Sequence, residues 1–331
     1  MVDIEFGVKT TPMRVTYDDI LRVWEEADGL PEIADAWLWD HLLPLTGPPN
    51  GPVLEGWTLL AALAARTRRL RLGLLVTSNR IREPAVLGKI ASTVDTVAGG
   101  RLIMGLGVGG TRQPADTGGI AGPNPAETEY AAYGLPIVSP GEGLARLAET
   151  IEILEKMWRE PEFDFEGRYY TLRRNHNEPK PVRRPPLLVG GWGDRTLRLV
   201  AERADLWNIP GPPHNGLDFL IERSGVLDAH CAELGRDPAE ITRSVQYIVD
   251  YDDPAATRAT VLELIDAGFT HIVLSLRAPY PDKVATWLVE KVITRCANGS
   301  EEGAPGWGKA VWVSGDRWRG GRGPGRRRNT R

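Results

Sequence analysis

Eight short apolar runs rich in β-formers, each followed by a stretch with helical spacing, order the chain up to residue 297 and leave few folds open to it. The runs lie at residues 4–8, 36–39, 70–76, 102–106, 186–189, 206–209, 244–249 and 271–274. After the fourth run, Leu144, Leu147, Ile151, Leu154 and Trp158 recur every three or four residues and so share one helix face. Leu87, Ile90, Val94 and Val97 repeat the pattern one unit earlier. The same spacing predicts helices over 17–28, 54–66, 195–204, 217–234, 255–267 and 282–294. Asp253-Pro254 supplies a cap and a first-turn proline, and Gly99-Gly100 and Gly268 stand where helices stop.

Strands that read as unbroken apolar runs are buried on both faces, as in a parallel sheet covered by helices. A closed (β/α)8 barrel and an open doubly wound sheet both meet that condition. Eight units in about 297 residues favour the α/β class and the (β/α)8 TIM barrel. Two insertions interrupt the repeat, at 111–139 after the fourth strand and at 159–184 after the fourth helix. Loops that long in a compact domain are usually lids or site walls. From Asn298 the pattern ends: residues 298–331 hold eight Lys/Arg, three Asp/Glu and nine Gly without apolar periodicity. The expected organisation is a barrel over 1–297 and a Gly/Arg-rich disordered tail over 298–331. Arg326-Arg327-Arg328 is the tail's one feature that suggests nucleic acid.

The rest of the composition narrows the function classes. A net charge of −4 gives no reason to expect a nucleic-acid partner. No apolar run reaches the roughly 18 residues of a membrane helix, and the N-terminus shows no basic-then-apolar signal. Cys231 and Cys296 are too few for a disulfide framework and have no metal-ligand spacing. The expectation is a cytoplasmic protein acting on a small molecule, without metal or membrane.

In a barrel, the site lies where strands end and βα-loops begin. That rule selects Lys9-Thr10, Asp40-His41, Thr77-Ser78-Asn79, residues 107–110, residues 190–194 and Asn208. His41 is a natural general acid/base, and the adjacent Asp40 can orient neighbouring groups; the two form the candidate catalytic pair. Lys9 reads as a solvated or ligand-contacting lysine, with a Schiff base as the alternative. Gly105-Leu106-Gly107-Val108-Gly109-Gly110 follows a strand, but the segment after it is rich in Gly and Pro rather than helical. It therefore reads as a strand end approaching a flat ligand, not a dinucleotide fingerprint. Gly190-Gly191-Trp192-Gly193 joins a strand to a helix, the pattern of a phosphate cradle built from main-chain N–H groups, with Arg195 or Arg198 adding charge. An ordinary tight βα-turn has the same pattern.

Taken in order, these residues resemble the bacterial luciferase-like superfamily of flavin and deazaflavin oxidoreductases, over about residues 4–294. The resemblance rests on Asp40-His41, Arg71-Leu72-Gly73 leading to Val76-Thr77, Arg82-Glu83-Pro84, Asp95 through Gly99-Gly100-Arg101, and Leu106-Gly107-Val108-Gly109. It continues through Glu129 with Tyr133-Gly134-Leu135-Pro136, Phe165-Glu166-Gly167-Arg168-Tyr169, Gly190-Gly191 and Ala204-Asp205-Leu206-Trp207-Asn208.

The resemblance implies a (β/α)8 barrel with an isoalloxazine-type ring at the strand C-termini. His41 would lie near its reactive face, as proton donor, proton acceptor or substrate anchor. Leu74 and Leu75 match a third-strand bulge that supports the ring, often through a non-proline cis peptide. Thr77, Gly107, Val108 and Gly109 would line the ring and its side chain, and Gly190, Gly191, Trp192 and Gly193 would hold the phosphate. Two departures stand out: an insertion replaces the bulky aromatic that relatives carry after the fourth-strand glycines, and Gly143 stands where an arginine often opens the next helix. Overall likeness points to the coenzyme F420 branch, hence hydride transfer between a deazaflavin and a small organic substrate. The alternatives are an FMN-dependent monooxygenase fed by a separate flavin reductase and a non-catalytic flavin-binding barrel. Relatives are often dimers, which makes a homodimer a further expectation.

Overall fold

The computed structural model describes residues 4–112, 125–211 and 214–297. The expected tail at 298–331 and part of the first insertion lie outside these residues. In chain order the elements are β1 (Glu5–Lys9), α1 (Tyr17–Asp28), β2 (Asp35–Leu38), α2 (Gly56–Arg66), β3 (Arg71–Leu74), β4 (Thr77–Ser78), α3 (Pro84–Ala98) and β5 (Met104–Gly107). Next come α4 (Pro125–Ala132), α5 (Pro140–Arg159), β6 (Phe163–Glu166), β7 (Thr171–Asn175), β8 (Leu187–Gly190), α6 (Asp194–Arg203) and β9 (Leu206–Ile209). The last are α7 (Leu217–Leu234), β10 (Thr242–Ile248), α8 (Pro254–Asp266), β11 (His271–Ser275), α9 (Val284–Leu288) and, after a π-turn, α10 (Thr294–Ala297).

All strands but β6 and β7 form one parallel sheet in the order β3-β2-β1-β11-β10-β9-β8-β5-β4. The sheet's two ends are one strand, because β4 continues β3 past the cis peptide between Leu75 and Val76. Leu72 closes the circle: its N–H donates to Arg101 O (3.0 Å) and its carbonyl accepts from Ile103 N–H (2.9 Å). The fold is a (β/α)8 barrel, and each of the eight strand runs read from the sequence is one of its staves. The run at 70–76 bulges at its end, with a non-proline cis peptide between Leu75 and Val76, as the resemblance implied for this strand.

Side chains alternate between the two sides of the barrel wall. Trp37, Leu75, Ile103, Leu188, Leu206 and Val273 fill the interior. Their neighbours Leu38, Leu72, Leu106, Val189 and Ile272 join the larger core under the helices. α5 lays Leu147, Ile151, Leu154 and Met157 on that core, each contributing about 1.5–3 kcal/mol by burial. Helix ends follow the expected chemistry: Asp253 accepts from Ala256 N–H at 2.9 Å, and Gly99 ends α3 with φ +64°. The second insertion folds as the antiparallel β6–β7 hairpin, whose turn is pinned by Glu149 accepting the N–H groups of Arg168, Tyr169 and Tyr170.

Gly105 shows why the bulge requires a glycine beside it. A Cβ there would stand 2.1 Å from the main-chain oxygen of Leu74, which no rotamer change relieves. Gly105→Ala is expected to destabilise at or above the upper end of the about 1–3 kcal/mol typical of overpacking. Urea unfolding checks this, and an unchanged midpoint would contradict the tight approach. Among the described residues no helix is long and apolar enough to cross a membrane.

Candidate active site

The loop after β2 places His41 at the C-terminal rim. Its ring stands edge-on to Trp39, with centroids 4.8 Å apart. Trp39 is held by a bond from its Nε1 to Thr11 Oγ1 (2.8 Å). The carboxylate that reaches His41 is not Asp40 but Glu129 of α4, 88 residues along the chain, at 3.2 Å from Nδ1. Glu129 is 5% exposed and His41 35%, so the carboxylate is the buried partner and the imidazole faces the mouth. The other oxygen of Glu129 accepts the N–H groups of Leu42 (2.5 Å) and Leu43 (3.2 Å).

Burial pushes the Glu129 carboxyl up, but the His41 bond and charge and the two amides outweigh it and hold the group below its usual range. A depressed carboxyl stabilises the fold above its unfolded pKa and loses that contribution as pH falls through the folded value. Glu129→Gln should therefore cost stability at neutral pH, and the gap in Tm to the wild type should close on acidification. A pH-independent gap would contradict this electrostatic coupling.

The structure corrects the expected role of Asp40. Its buried carboxylate takes Arg82 in a two-pronged pair (2.8 and 3.0 Å) and the N–H of Ser78 (2.9 Å). Both oxygens are committed to Arg82 and Ser78, so Asp40 orients the end of the third stave and makes no bond to His41. Burial raises its pKa, opposed by Arg82 and the Ser78 amide. Arg82 also pairs with Glu55, which caps α2 through Trp57 and Thr58 N–H.

Behind Asp40 lies a row of buried polar atoms without protein partners: Thr77 Oγ1, both amide atoms of Asn79, and Arg80 Nη1. Unpaired buried groups of this kind cost roughly 1–3 kcal/mol each, and three of the four residues from Thr77 to Arg80 carry them. Asn79 and Arg80 were not among the residues assigned a role from the sequence; position after a strand end was the only signal. Leu74 and Leu75 separate as neighbours on a strand must. Leu75 joins the interior, while Leu74 packs outward, its Cδ1 close to Gly56 of α2.

The glycines have structural partners of their own. A Cβ at Gly107 or Gly190 would meet Val76 methyls at 2.4 and 2.9 Å, so both make room for the residue after the cis bond. Val108 packs against Gly143, where a Cβ would come within 2.6 Å, which explains why no larger residue stands at 143. Beside Gly109 and Gly110 the aromatic comes from the insertion: Tyr130 OH accepts Gly110 N–H (2.8 Å) and bonds Ser78 Oγ (2.7 Å).

The main-chain N–H groups left without partners lie further along the chain than Gly190 and Gly191. Gly191 N–H donates to Asn208 O (3.1 Å), and Gly191 O accepts Trp207 Nε1 (2.7 Å), so this residue completes the sheet. With φ +139° and Thr196 packed on it, Gly191 shapes the turn. The uncommitted amides are those of Asp194, Arg195 and Thr196, since Gly193 caps α6 without a side chain and the first helical bond comes from Leu197. Arg198 is taken by Glu202 (3.0 Å) and Glu233 (2.5 Å), whereas Arg195 makes no ion pair among the described residues and lies beside Gly141 at the start of α5. Trp192 stacks on His214 at 4.0 Å, a contact without sequence spacing to announce it.

An uncharacterised protein of Mycobacterium tuberculosis (strain ATCC 25618 / H37Rv) is 33% identical over 229 residues, 69% of this chain and 70% of its own. An F420-dependent glucose-6-phosphate dehydrogenase of Kineococcus radiotolerans is 27% identical over 70% of this chain and 64% of its own. The pyrimidine monooxygenase RutA of Stutzerimonas stutzeri is 27% identical over 65% and 55%. Among solved structures, an F420-dependent secondary alcohol dehydrogenase in complex with an F420-acetone adduct superposes with a TM-score of 0.72 at 16% identity, covering 89% of this chain and 99% of that one. The profile of one family matches residues 4–302, and the chain belongs to it: the luciferase-like monooxygenase family.

Proposed function

We propose that the protein is an oxidoreductase that transfers hydride between the deazaflavin coenzyme F420 and a small organic substrate. The observation that carries this reading is the convergence on one rim of unpaired buried polar atoms (Thr77, Asn79, Arg80), an uncapped helix N-terminus at α6 and the His41–Glu129 pair. The first set fits a ring with a polar edge, and the second an anionic arm. Asn79, Arg80, Leu75 and Val76 would hold the ring, and Gly193 to Thr196 with Arg195 the phosphate. When bound, the deazaflavin supplies a carbon that gives or takes hydride and reacts little with oxygen.

The chain's own part is to place and move a proton. Glu129 accepts from His41 Nδ1–H, which leaves Nε2 free to take a proton from a substrate hydroxyl or, once protonated, to return it to a carbonyl. Trp39 and Glu129 together fix the imidazole plane, and Asp40 with Arg82 fixes the stave beneath. F420 is favoured because the dehydrogenase of K. radiotolerans, named for that coenzyme, is a sequence relative over most of the chain. The second reading, an FMN-dependent monooxygenase fed by a reductase, is favoured by the comparable likeness to the pyrimidine monooxygenase. Titrating the purified protein with each cofactor, followed by absorbance, separates them. Tighter binding of F420 is expected; tighter binding of FMN would reverse the choice.

A further inference from the structure

Lys9 ends β1 with its side chain on the interior side, in register with Trp37, and its Nζ donates to Gln246 Oε1 at 2.5 Å. An ammonium can only donate, and this fixes the sense of the amide bonds behind it as far as Ser244. Gln246 Nε2 donates to Asn208 Oδ1 (2.9 Å), and Asn208 Nδ2 donates to Ser244 Oγ (2.8 Å). Ser244 Oγ bonds His271 Nδ1 (2.8 Å), and His271 Nε2–H donates to Asp35 (3.0 Å). The chain is complete, with each amide and the imidazole held in one orientation from the barrel floor to its mouth.

The charges at its two ends are treated differently. Asp35 is matched by Arg71 (2.6 Å) and also accepts Trp37 Nε1 (2.5 Å), so its carboxylate is spent one interior layer below Lys9. At the upper end, the half-buried ammonium meets only a neutral amide oxygen. The carboxylates and imidazoles on the surrounding elements are already paired: Glu5 with Arg71, His41 with Glu129, Asp40 with Arg82, and Asp35 with His271, while Arg243 of β10 is taken by Asp228 and Arg277 just past β11 is a further cation. Burial pushes Lys9 down to about 8, the mark of a cation short of a counter-charge. Trp39, which braces His41, is bonded to Thr11 two residues past Lys9, so the ammonium lies on His41's side of the mouth. The uncapped end of α6 follows β8, four staves away around the barrel.

We propose that Lys9 anchors an anionic oxygen of the substrate, so that the site takes organic anions, carboxylates or phosphate esters, with the Gln246–Asn208–Ser244 chain as its positioning support. This rests on the oxidoreductase reading only in naming the bound anion a substrate. Cation and anion separated by neutral amides leave Lys9 aimed but unneutralised, which is what recognition of an incoming anion requires.

The test uses the full chain without cofactor, its lysines reductively methylated with a ¹³C label. Lys9 is identified by the signal missing from K9M, or from K9R if K9M does not fold. Acetate, but not chloride at equal ionic strength, is expected to move the Lys9 titration midpoint upward by about half a pH unit or more. The response is expected to persist after saturation with F420 or FMN, whichever binds. A Lys9 signal indifferent to acetate would overturn the proposal. So would a signal moved by cofactor alone with no further response to acetate, which would assign the anion to the cofactor. If neither cofactor bound, the oxidoreductase reading would fall while the acetate arm still decided the role of Lys9.

Discussion

His41→Ala is expected to slow hydride transfer by at least about 100-fold, the usual scale for removing a general acid/base, while cofactor affinity stays within a few-fold. The imidazole is one-third exposed at the mouth and contributes a single bond to Glu129, so little of the fold depends on it. Glu129 acts through it, and Glu129→Gln should give a smaller loss, mainly in kcat, because the amide's single acceptor oxygen can serve Nδ1–H or the Leu42 and Leu43 amides but not both, and a neutral group no longer stabilises a protonated ring. Single-turnover absorbance of the ring cofactor measures both. A His41→Ala variant at wild-type rate would remove the residue from the mechanism and raise the standing of a barrel that binds the ring without chemistry.

Arg82→Ala is expected to have the largest effect on stability, about 3–5 kcal/mol, the scale found when one partner of a buried ion pair is removed. The reason is what it strands. Asp40 is buried with both oxygens turned to Arg82 and Ser78, and Glu55 loses the same guanidinium. Burial already raises the Asp40 pKa, so the folded chain takes up this proton more readily than the unfolded one, and the stability this adds is lost as pH rises through the folded value. The penalty of Arg82→Ala should therefore shrink on acidification, and Asp40→Asn in the same background should recover part of it. Urea unfolding of the two variants at neutral and acidic pH checks both signs. A loss below about 1 kcal/mol, the scale of a surface pair, would show that water reaches this carboxylate.

The barrel was legible because its strands are buried on both faces and its helices on one, so short unbroken apolar runs and stretches of period 3.6 separate cleanly along the chain. The break in the third stave was legible only through the family resemblance, since Leu74, Leu75 and Val76 are all apolar and composition carries no mark of a bulge. Its trace lay elsewhere, in glycines at 105, 107 and 190 that leave space for the Leu74 carbonyl and the Val76 side chain. These were read as ligand-facing, because a glycine at a strand end looks the same whether a cofactor or a side chain fills the space. His41 was visible from its place at a strand end, but its partner was not. Glu129 comes from an insertion 88 residues away, and the nearer Asp40 looked the better candidate until Arg82 and Ser78 were seen to occupy it. Arg195 and Arg198 were equivalent in sequence; three-dimensional neighbours separate them, because Glu233 of α7 takes one and not the other. The polar chain from Lys9 to Asp35 is a product of barrel closure, which sets residues of five staves in line.

The central claim is that a tricyclic redox ring lies over the rim with His41 at its reactive face and its anionic arm on the first turn of α6. A crystal structure of the protein saturated with the cofactor it binds more tightly tests this most directly. The account predicts ring density resting on Leu75 and Val76 with its polar edge at Asn79 and Arg80, and phosphate density at the amides of Asp194, Arg195 and Thr196. Density for the ring elsewhere on the molecule, or a phosphate remote from Arg195, would contradict it.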